Sequence, residues 1–351
     1  MKILAALMGI SAILVGIVLE GEDVAVYLQP GGLLMVLGAT LFFTLTHQSV
    51  GDLKAALRAV YLGKSISTHE AARHIAVLAT PRMVAVASGG LGFILGLITL
   101  FQNLDDPHKI GGAVAMAIIL AIHGLAVAEL LVTPMINRIS ALGTSETSAG
   151  APGEDEAPGS IGFARLIYAV LGMASVLGAY ALMGGHLNSV IQIGAALIVG
   201  CGTLFFSLAY HSPAEYGAAT QAVRNGITLS VAELSRHAIV LSTPRIIAIA
   251  TGSLGFLLGI AYSCQNLEDP SKIGPGVAVS LISALYAIAI SDIMIGPAIN
   301  RLCAQSAYRA NDAGDPIASS PLKPSLTLFL VATAGSLMTL CIVLYALSAK
   351  A

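Results

Sequence analysis

The stretch TPRMVAVASGGLGFILGLITLFQNLDDPHKIGGAVAMAIILAIHGLAVAELLVTPMINR, residues 80–138, returns later in the chain as TPRIIAIATGSLGFLLGIAYSCQNLEDPSKIGPGVAVSLISALYAIAISDIMIGPAINR, residues 243–301. Each copy runs from an arginine through an apolar stretch to an acidic turn, then back through a second apolar stretch to Asn-Arg. That pattern reads as a helical hairpin crossing a bilayer twice. The likeness extends outward without a gap, with 45 of the 102 positions in residues 38–139 identical to residues 201–302. Self-similarity at a fixed shift is the mark of a repeated structural module, here a tandem duplication of a four-helix unit.

Composition agrees. Of the 351 residues 56% are hydrophobic and only 10% charged, with a mean hydropathy of +0.86; a soluble domain carries about 25% charged residues. The fold class is therefore all-α, a polytopic helical protein whose first partner is the lipid bilayer. A net charge of −2 leaves no basic face for nucleic-acid phosphates. The cysteines, Cys201, Cys264, Cys303 and Cys341, are scattered without a CxxC and fit small packing residues better than a zinc site or a disulfide framework.

A bilayer core about 30 Å thick needs about 20 apolar residues per helix. On that rule nine spans are predicted: Ile3 to Leu19, Gly31 to Thr46, Met83 to Phe101, Ile110 to Ile136, Phe163 to Met183, Val190 to Leu208, Ile246 to Cys264, Ile273 to Ile299 and Leu326 to Leu347. They divide into a first unit (1–144), a flexible Gly/Ser/Pro-rich linker (145–160), a second unit (161–303), a linker (304–324) and an extra C-terminal transmembrane helix (325–351). Lys2 followed by an apolar run resembles a signal peptide, but the shift places it on Arg165 inside the chain, so it is read as a helix. With a cytoplasmic N-terminus, 14 of the 17 basic residues fall on the cytoplasmic side, as the positive-inside rule requires. The C-terminus then lies outside.

Several residues stand out as candidates. Arg82 and Glu129 stand at nearly equal chain distances before and after the turn residue Asp106; Arg245 and Asp292 flank Asp269 in the same way. At about 1.5 Å per residue both members lie about 35 Å from the outer turn, level with each other at the inner interface, either as an ion pair closing the hairpin or as part of an ion exit. His123 falls near mid-membrane, with Tyr286 at the matching position of the second unit. Titratable groups at that depth are candidates for an ion pathway. No mid-membrane Asp or Glu accompanies them, so a proton relay needs an acid from elsewhere. Gly92 and Gly96, with Gly255 and Gly259, form small-xxx-small seams for close helix crossing. Pro81 and Pro244 are read as the inner starts of the third spans, and Pro134 and Pro297 as kinks or membrane exits late in the fourth. In the inner loop Glu70 with Arg73, repeated as Glu233 with Arg236, is either a solvated i, i+3 pair or a partner-docking patch. His69-Glu70-Ala71-Ala72-Arg73 misses the zincin HExxH because arginine replaces the second histidine. No metal, cofactor or enzyme motif is present.

Taken in order, PGGLLMVLGAT (Pro30 to Thr40), Pro81 leading into GGLGFILGL (Gly89 to Leu97), LDDPHKIGGAVAMAI (Leu104 to Ile118) and AELLVTPMINRI (Ala128 to Ile139) resemble the MotA/TolQ/ExbB family of proton-channel subunits, once per half. The resemblance implies a homo-oligomer in the bacterial inner membrane, five A-type subunits around single-span partners whose transmembrane Asp carries the proton. In that family hydroxyls on the third and fourth helices commonly face the acid; here Phe93, Phe256, Ala121 and Ala284 occupy those positions, and only Ser283 lies beside them. Two units per chain also build rings of even number, against the family's five places. The expected function is an ion-channel-type, stator-like subunit that couples a proton or sodium gradient to mechanical work. The alternatives are a non-conducting oligomeric membrane scaffold and, third, a secondary transporter.

Overall fold

A computed structural model of the chain describes residues 29–62, 66–103, 107–144, 164–225, 229–265 and 270–313. The first and ninth predicted spans, and the 145–160 linker, lie outside the described residues. Within them the chain is helical: α1 (Pro30–His47), α2 (Val50–Leu62), α3 (Thr68–Gln102), α4 (107–142), α5 (Ala164–Leu182), α6 (Ile193–Tyr210), α7 (Pro213–Asn225), α8 (Val231–Gln265) and α9 (270–313). The only β pairing among the described residues joins Ile66–Ser67 to Gly143–Thr144, two residues on each side. Six helices, α1, α3, α4, α6, α8 and α9, contain stretches long and apolar enough to cross a membrane, and α5 contributes a shorter apolar one.

The elements repeat with the sequence. The offset that carries Thr80 onto Thr243 also carries α1, α2 and α3 onto α6, α7 and α8, end for end. Even the irregular turns recur: the π-helical Leu34–Gly38 returns as Leu197–Cys201, and Ala126–Val132 as Ala289–Ile295.

The starts of α3, α7 and α8 are set by Ser-x-x-acid caps, in which the serine hydroxyl accepts the amide of the third residue on and the acid accepts the serine amide. Ser67 and Glu70 begin α3 this way, Ser212 and Glu215 begin α7, and Ser230 and Glu233 begin α8. These caps start the third helices upstream of the predicted spans and correct the reading of Pro81 and Pro244 as their starts. α3 starts at Thr68, more than three turns before Pro81, and Pro81 and Pro244 lie inside continuous 35-residue helices. Such helices measure about 52 Å at about 1.5 Å per residue, longer than a bilayer core of about 30 Å. The linker predicted from Ala304 is also corrected in part, because α9 runs on to Ala313.

The hairpins close on glycine. A Cβ at Gly89 would lie 2.7 Å from the Gly124 Cα, one at Gly92 2.7 Å from the Leu120 Cβ, and one at Gly96 2.6 Å from the Ala117 backbone. In the second unit Gly252 faces Ala287, Gly255 faces Ser283 and Gly259 faces Ser280. With no hydrophobic drive between helices in lipid, this close approach supplies the dispersion contact that holds α3 to α4 and α8 to α9.

The two units pack against each other through α3, which touches α9 as well as α4. Of its apolar window 94% is buried, against 39% for the matching window of α8, so α3 is the axis of the molecule. α5 covers the first unit's α1, where Gly172 sits on the Phe43 ring. At the inner end a second apolar cluster gathers Ala56 and Val60 of α2, Ala219 and Ala222 of α7, and Ile299 and Leu302 of α9.

Gly96→Val places a branched side chain against the α4 backbone and is expected to cost about 1–3 kcal/mol by overpacking. Gly178→Ala, with nothing within 4 Å of the new Cβ, is expected to leave the thermal unfolding midpoint in detergent unchanged.

Candidate functional site

The strings Thr80-Pro81-Arg82 and Thr243-Pro244-Arg245 occupy equivalent places, and in each the threonine and arginine reach different neighbours. Thr80 Oγ1 accepts a hydrogen bond from Gln48 Nε2 at 2.9 Å, just past the end of α1. Arg82 Nη2 donates to Glu129 Oε1 on α4 at 2.8 Å. In the second unit His211 Nε2 lies 3.2 Å from Thr243 Oγ1, and Arg245 Nη2 donates to Asp292 Oδ1 at 2.9 Å. Each string therefore ties its unit's second and fourth helices to the third. The first ion pair is partly exposed, whereas Asp292 is buried.

Both acids sit in the π turns, Glu129 in Ala126–Val132 and Asp292 in Ala289–Ile295. Pro134 and Pro297 follow directly. A proline inside a helix lacks its donor and crowds the carbonyl four residues back, and a widened π turn accommodates that without a break. The helices continue through both prolines to Leu142 and Ala313, so neither marks the end of a helix. Thr133 Oγ1 donates to the Ala128 carbonyl at 3.0 Å and also to Glu129 Oε2 at 2.9 Å, holding the second carboxylate oxygen.

The intramembrane candidates have structural partners. Tyr286 donates its hydroxyl proton to the Val190 carbonyl at 2.7 Å and accepts the Gln192 amide at 3.2 Å, pinning the chain as it enters α6. Ser283 donates back to the Val279 carbonyl at 3.0 Å and lies against Gly255. His123 lies against α1, where a Cβ at Gly32 would come within 3.1 Å of its ring. None of the three borders either described cavity, one of about 310 Å³ bordered by Thr99, Asn103 and His186 and one of about 650 Å³ bordered by Gln29 and Leu182.

The docking candidates are rearranged. Glu70 does not pair with Arg73; it caps α3, and Arg73 Nη2 instead reaches Asp52 Oδ1 on α2 at 2.9 Å, with both side chains 6% exposed. Arg73 is thus closed to a partner. Glu233 likewise caps α8, and Arg236, 75% exposed, lies 3.9 Å from Glu215. The amide and hydroxyl of Ser212, then His211 and Arg236, hold the Glu215 carboxyl below its ordinary pKa. Asp52 with Arg73, and Glu215 with Arg236, are equally spaced along the chain. The signal for this pairing was the recurrence of an acid at 52 and 215, the same offset that relates the two arginines. Arg301, fully buried, is a second residue the sequence left unassigned. Its Nε donates to the Val223 carbonyl at 2.7 Å and its Nη1 to the His47 carbonyl at 2.6 Å, so a side chain of α9 locks the inner end of α1 to the second unit.

Asp52→Asn leaves the Arg73 charge buried without its counterion, a change that typically costs about 3–5 kcal/mol. Arg236→Ala removes an exposed charge and is expected to stay within about 1 kcal/mol; thermal unfolding in detergent compares the two.

Comparison with known proteins places these features in context. A model of the MotA/TolQ/ExbB proton channel family matches twice, over residues 46–149 and 208–314. Motility protein A of Aquifex aeolicus is 42% identical over 53 residues, 15% of this chain and 21% of the relative. Motility protein A of Cereibacter sphaeroides is 36% identical over 58 residues, 16% and 23%, and chemotaxis protein PomA of Vibrio alginolyticus 33% over 64 residues, 18% and 25%. The matched stretch spans only about a quarter or less of each relative. No solved structure matches the chain.

Proposed function

Because the chain belongs to the MotA/TolQ/ExbB proton channel family, we propose that it is an ion-channel-type, stator-like subunit of the bacterial inner membrane. In this reading a tandem duplication supplies two channel-type units in one chain, with the N-terminus cytoplasmic and the C-terminus periplasmic. They work with a single-span partner whose transmembrane Asp carries the proton or sodium ion. The supporting observation is the disposition of carboxylates. Within the candidate spans of the described residues these are Glu70, Glu129, Glu233 and Asp292. The first and third cap helices, and the second and fourth bind arginine. An ion carrier at mid-membrane must then come from another chain.

The arginine–acid pairs serve this reading as inner hinges that hold each hairpin closed while the ring moves around its partner. Of the intramembrane candidates, the Tyr286 and Ser283 hydroxyls serve backbone carbonyls, and His123, packed against α1 at Gly32, is kept as an ion-path candidate. That same engagement favours a second reading, a non-conducting oligomeric membrane scaffold that keeps the fold and has lost the hydroxyl-lined path.

Vesicles containing this chain and a single-span partner encoded beside it separate the two. A channel subunit is expected to pass protons or sodium at least tenfold faster than empty vesicles, and to lose that flux when the partner's Asp is changed to Asn. Flux equal to empty vesicles would contradict the channel reading and leave the scaffold.

A further inference from the structure

α1 and α6 match in helix boundaries and share much of their sequence, but they differ in what covers them. α5 lies along α1, and where they cross Gly172 sits on the Phe43 ring, which a Cβ there would meet at 3.0 Å. Phe43 is accordingly only 6% exposed. At the same offset in the second unit stands Phe206, which is 60% exposed. Phe205 beside it is exposed where Phe42 is half-buried. Among the described residues no helix stands on α6 as α5 stands on α1.

The sequence supplies a cover. The offset that carries α1 onto α6 carries α5, Ala164–Leu182, onto residues 327–345. These fall within the predicted ninth span, Leu326 to Leu347, outside the described residues. Gly172 lands on Gly335, Ala169 on Ala332 and Leu177 on Leu340. Glycine is thus kept at the position that touches the ring. Gly178, where a Cβ would have nothing within 4 Å, is replaced by Cys341.

We propose that residues 326–347 of the same chain form a helix on α6, with Gly335 on the Phe206 ring as Gly172 sits on Phe43. The connection is long enough. α9 passes the inner end of α6 near Asp292, whose partner Arg245 is two residues from the Thr243 that His211 touches. At about 1.5 Å per residue α9 then runs about 32 Å inward to Ala313. Residues 314–325, at about 3.3 Å each when extended, span about 40 Å and bring the chain back. A short tether also gives the segment an effective concentration in the millimolar range, which favours it over a loose partner. The contact is not copied along its whole length. Ser175 meets Gly38, and their counterparts Met338 and Cys201 are both larger, so the new helix diverges from α6 toward the outer end.

The test is disulfide formation in native membranes, using the full chain with its four native cysteines changed to alanine and a protease site inserted within 314–325. The Phe43 Cγ lies 3.1 Å from a Cβ at Gly172, which brings the two Cβ atoms near the separation a disulfide needs, about 3.5–4.5 Å. Phe43→Cys with Gly172→Cys, cleaved within 145–160, therefore calibrates the yield. Phe206→Cys with Gly335→Cys is expected to hold the two cleavage fragments of one chain together until reduction. Thr333→Cys in place of Gly335→Cys, at the position of the exposed Val170, is expected to release them. Fragments that separate in the 206/335 variant while the 43/172 pair stays linked would overturn the proposal. So would a 206/335 product containing two chains, or a two-chain product from Phe206→Cys with Gly9→Cys, since Gly9 is the glycine at this offset in the first predicted span. A second variant needs no cysteine: Gly335→Phe is expected to lower the thermal unfolding midpoint in detergent and Thr333→Phe to leave it unchanged. Equal midpoints would also overturn the proposal. The inference rests on the repeat and not on conduction, so linked fragments without ion flux leave it standing, and flux with separated fragments removes it alone.

Discussion

The structure depends on enclosing α3 on every side. A helix of 35 residues with 94% of its apolar window buried needs a partner on each face, and in a bilayer apolar character alone does not supply one. Glycine brings α4 within backbone contact on one face. Another face carries larger side chains and receives α9 from the other unit. One helix thus reads two kinds of neighbour through two kinds of surface, and the rest of the chain is arranged by that choice. α8 has the same glycine seam and a matching apolar stripe but lacks the second neighbour among the described residues.

Many of the polar groups meet the bilayer's demand with an internal partner. They concentrate at the inner ends of the helices: the Thr-Pro-Arg clamps, the Asp52–Arg73 pair, the serine caps and Arg301 on the carbonyls of His47 and Val223. The clamp acids stand in π turns ahead of a proline, so one irregularity serves two ends: it accommodates the ring and it gives the carboxylate a place beside the arginine.

Much of this was legible in the sequence, for reasons that can be named. The constant offset between the copies is matched by recurring helix boundaries, and counting from the acidic turn brought Arg82 to Glu129 and Arg245 to Asp292, because helical rise is nearly constant across a straight hairpin. What failed was local reading. Glu70 and Arg73 are near in sequence, yet a serine three residues before the glutamate claimed it as a cap, and the arginine turned to Asp52 on another helix. Pro81 resembled a helix start, and the strong cap at Ser67 lay well upstream of it. The unequal burial of the twin third helices was invisible, since similarly apolar residues carry no record of which copy has a neighbour.

On the proposed reading, the chain is a subunit that shapes a path whose carrier comes from a partner. That reading requires the two units to face the same way in the membrane. The direct measurement is labelling of single cysteines with a membrane-impermeant maleimide, in a cysteine-free chain in intact cells. Gln102→Cys and Gln265→Cys, at the outer ends of α3 and α8, are expected to react from outside, and Tyr61→Cys and Arg224→Cys, at the inner ends of α2 and α7, only after permeabilisation. Reaction of positions 102 and 265 from opposite sides would contradict the shared orientation and the stator-like role built on it.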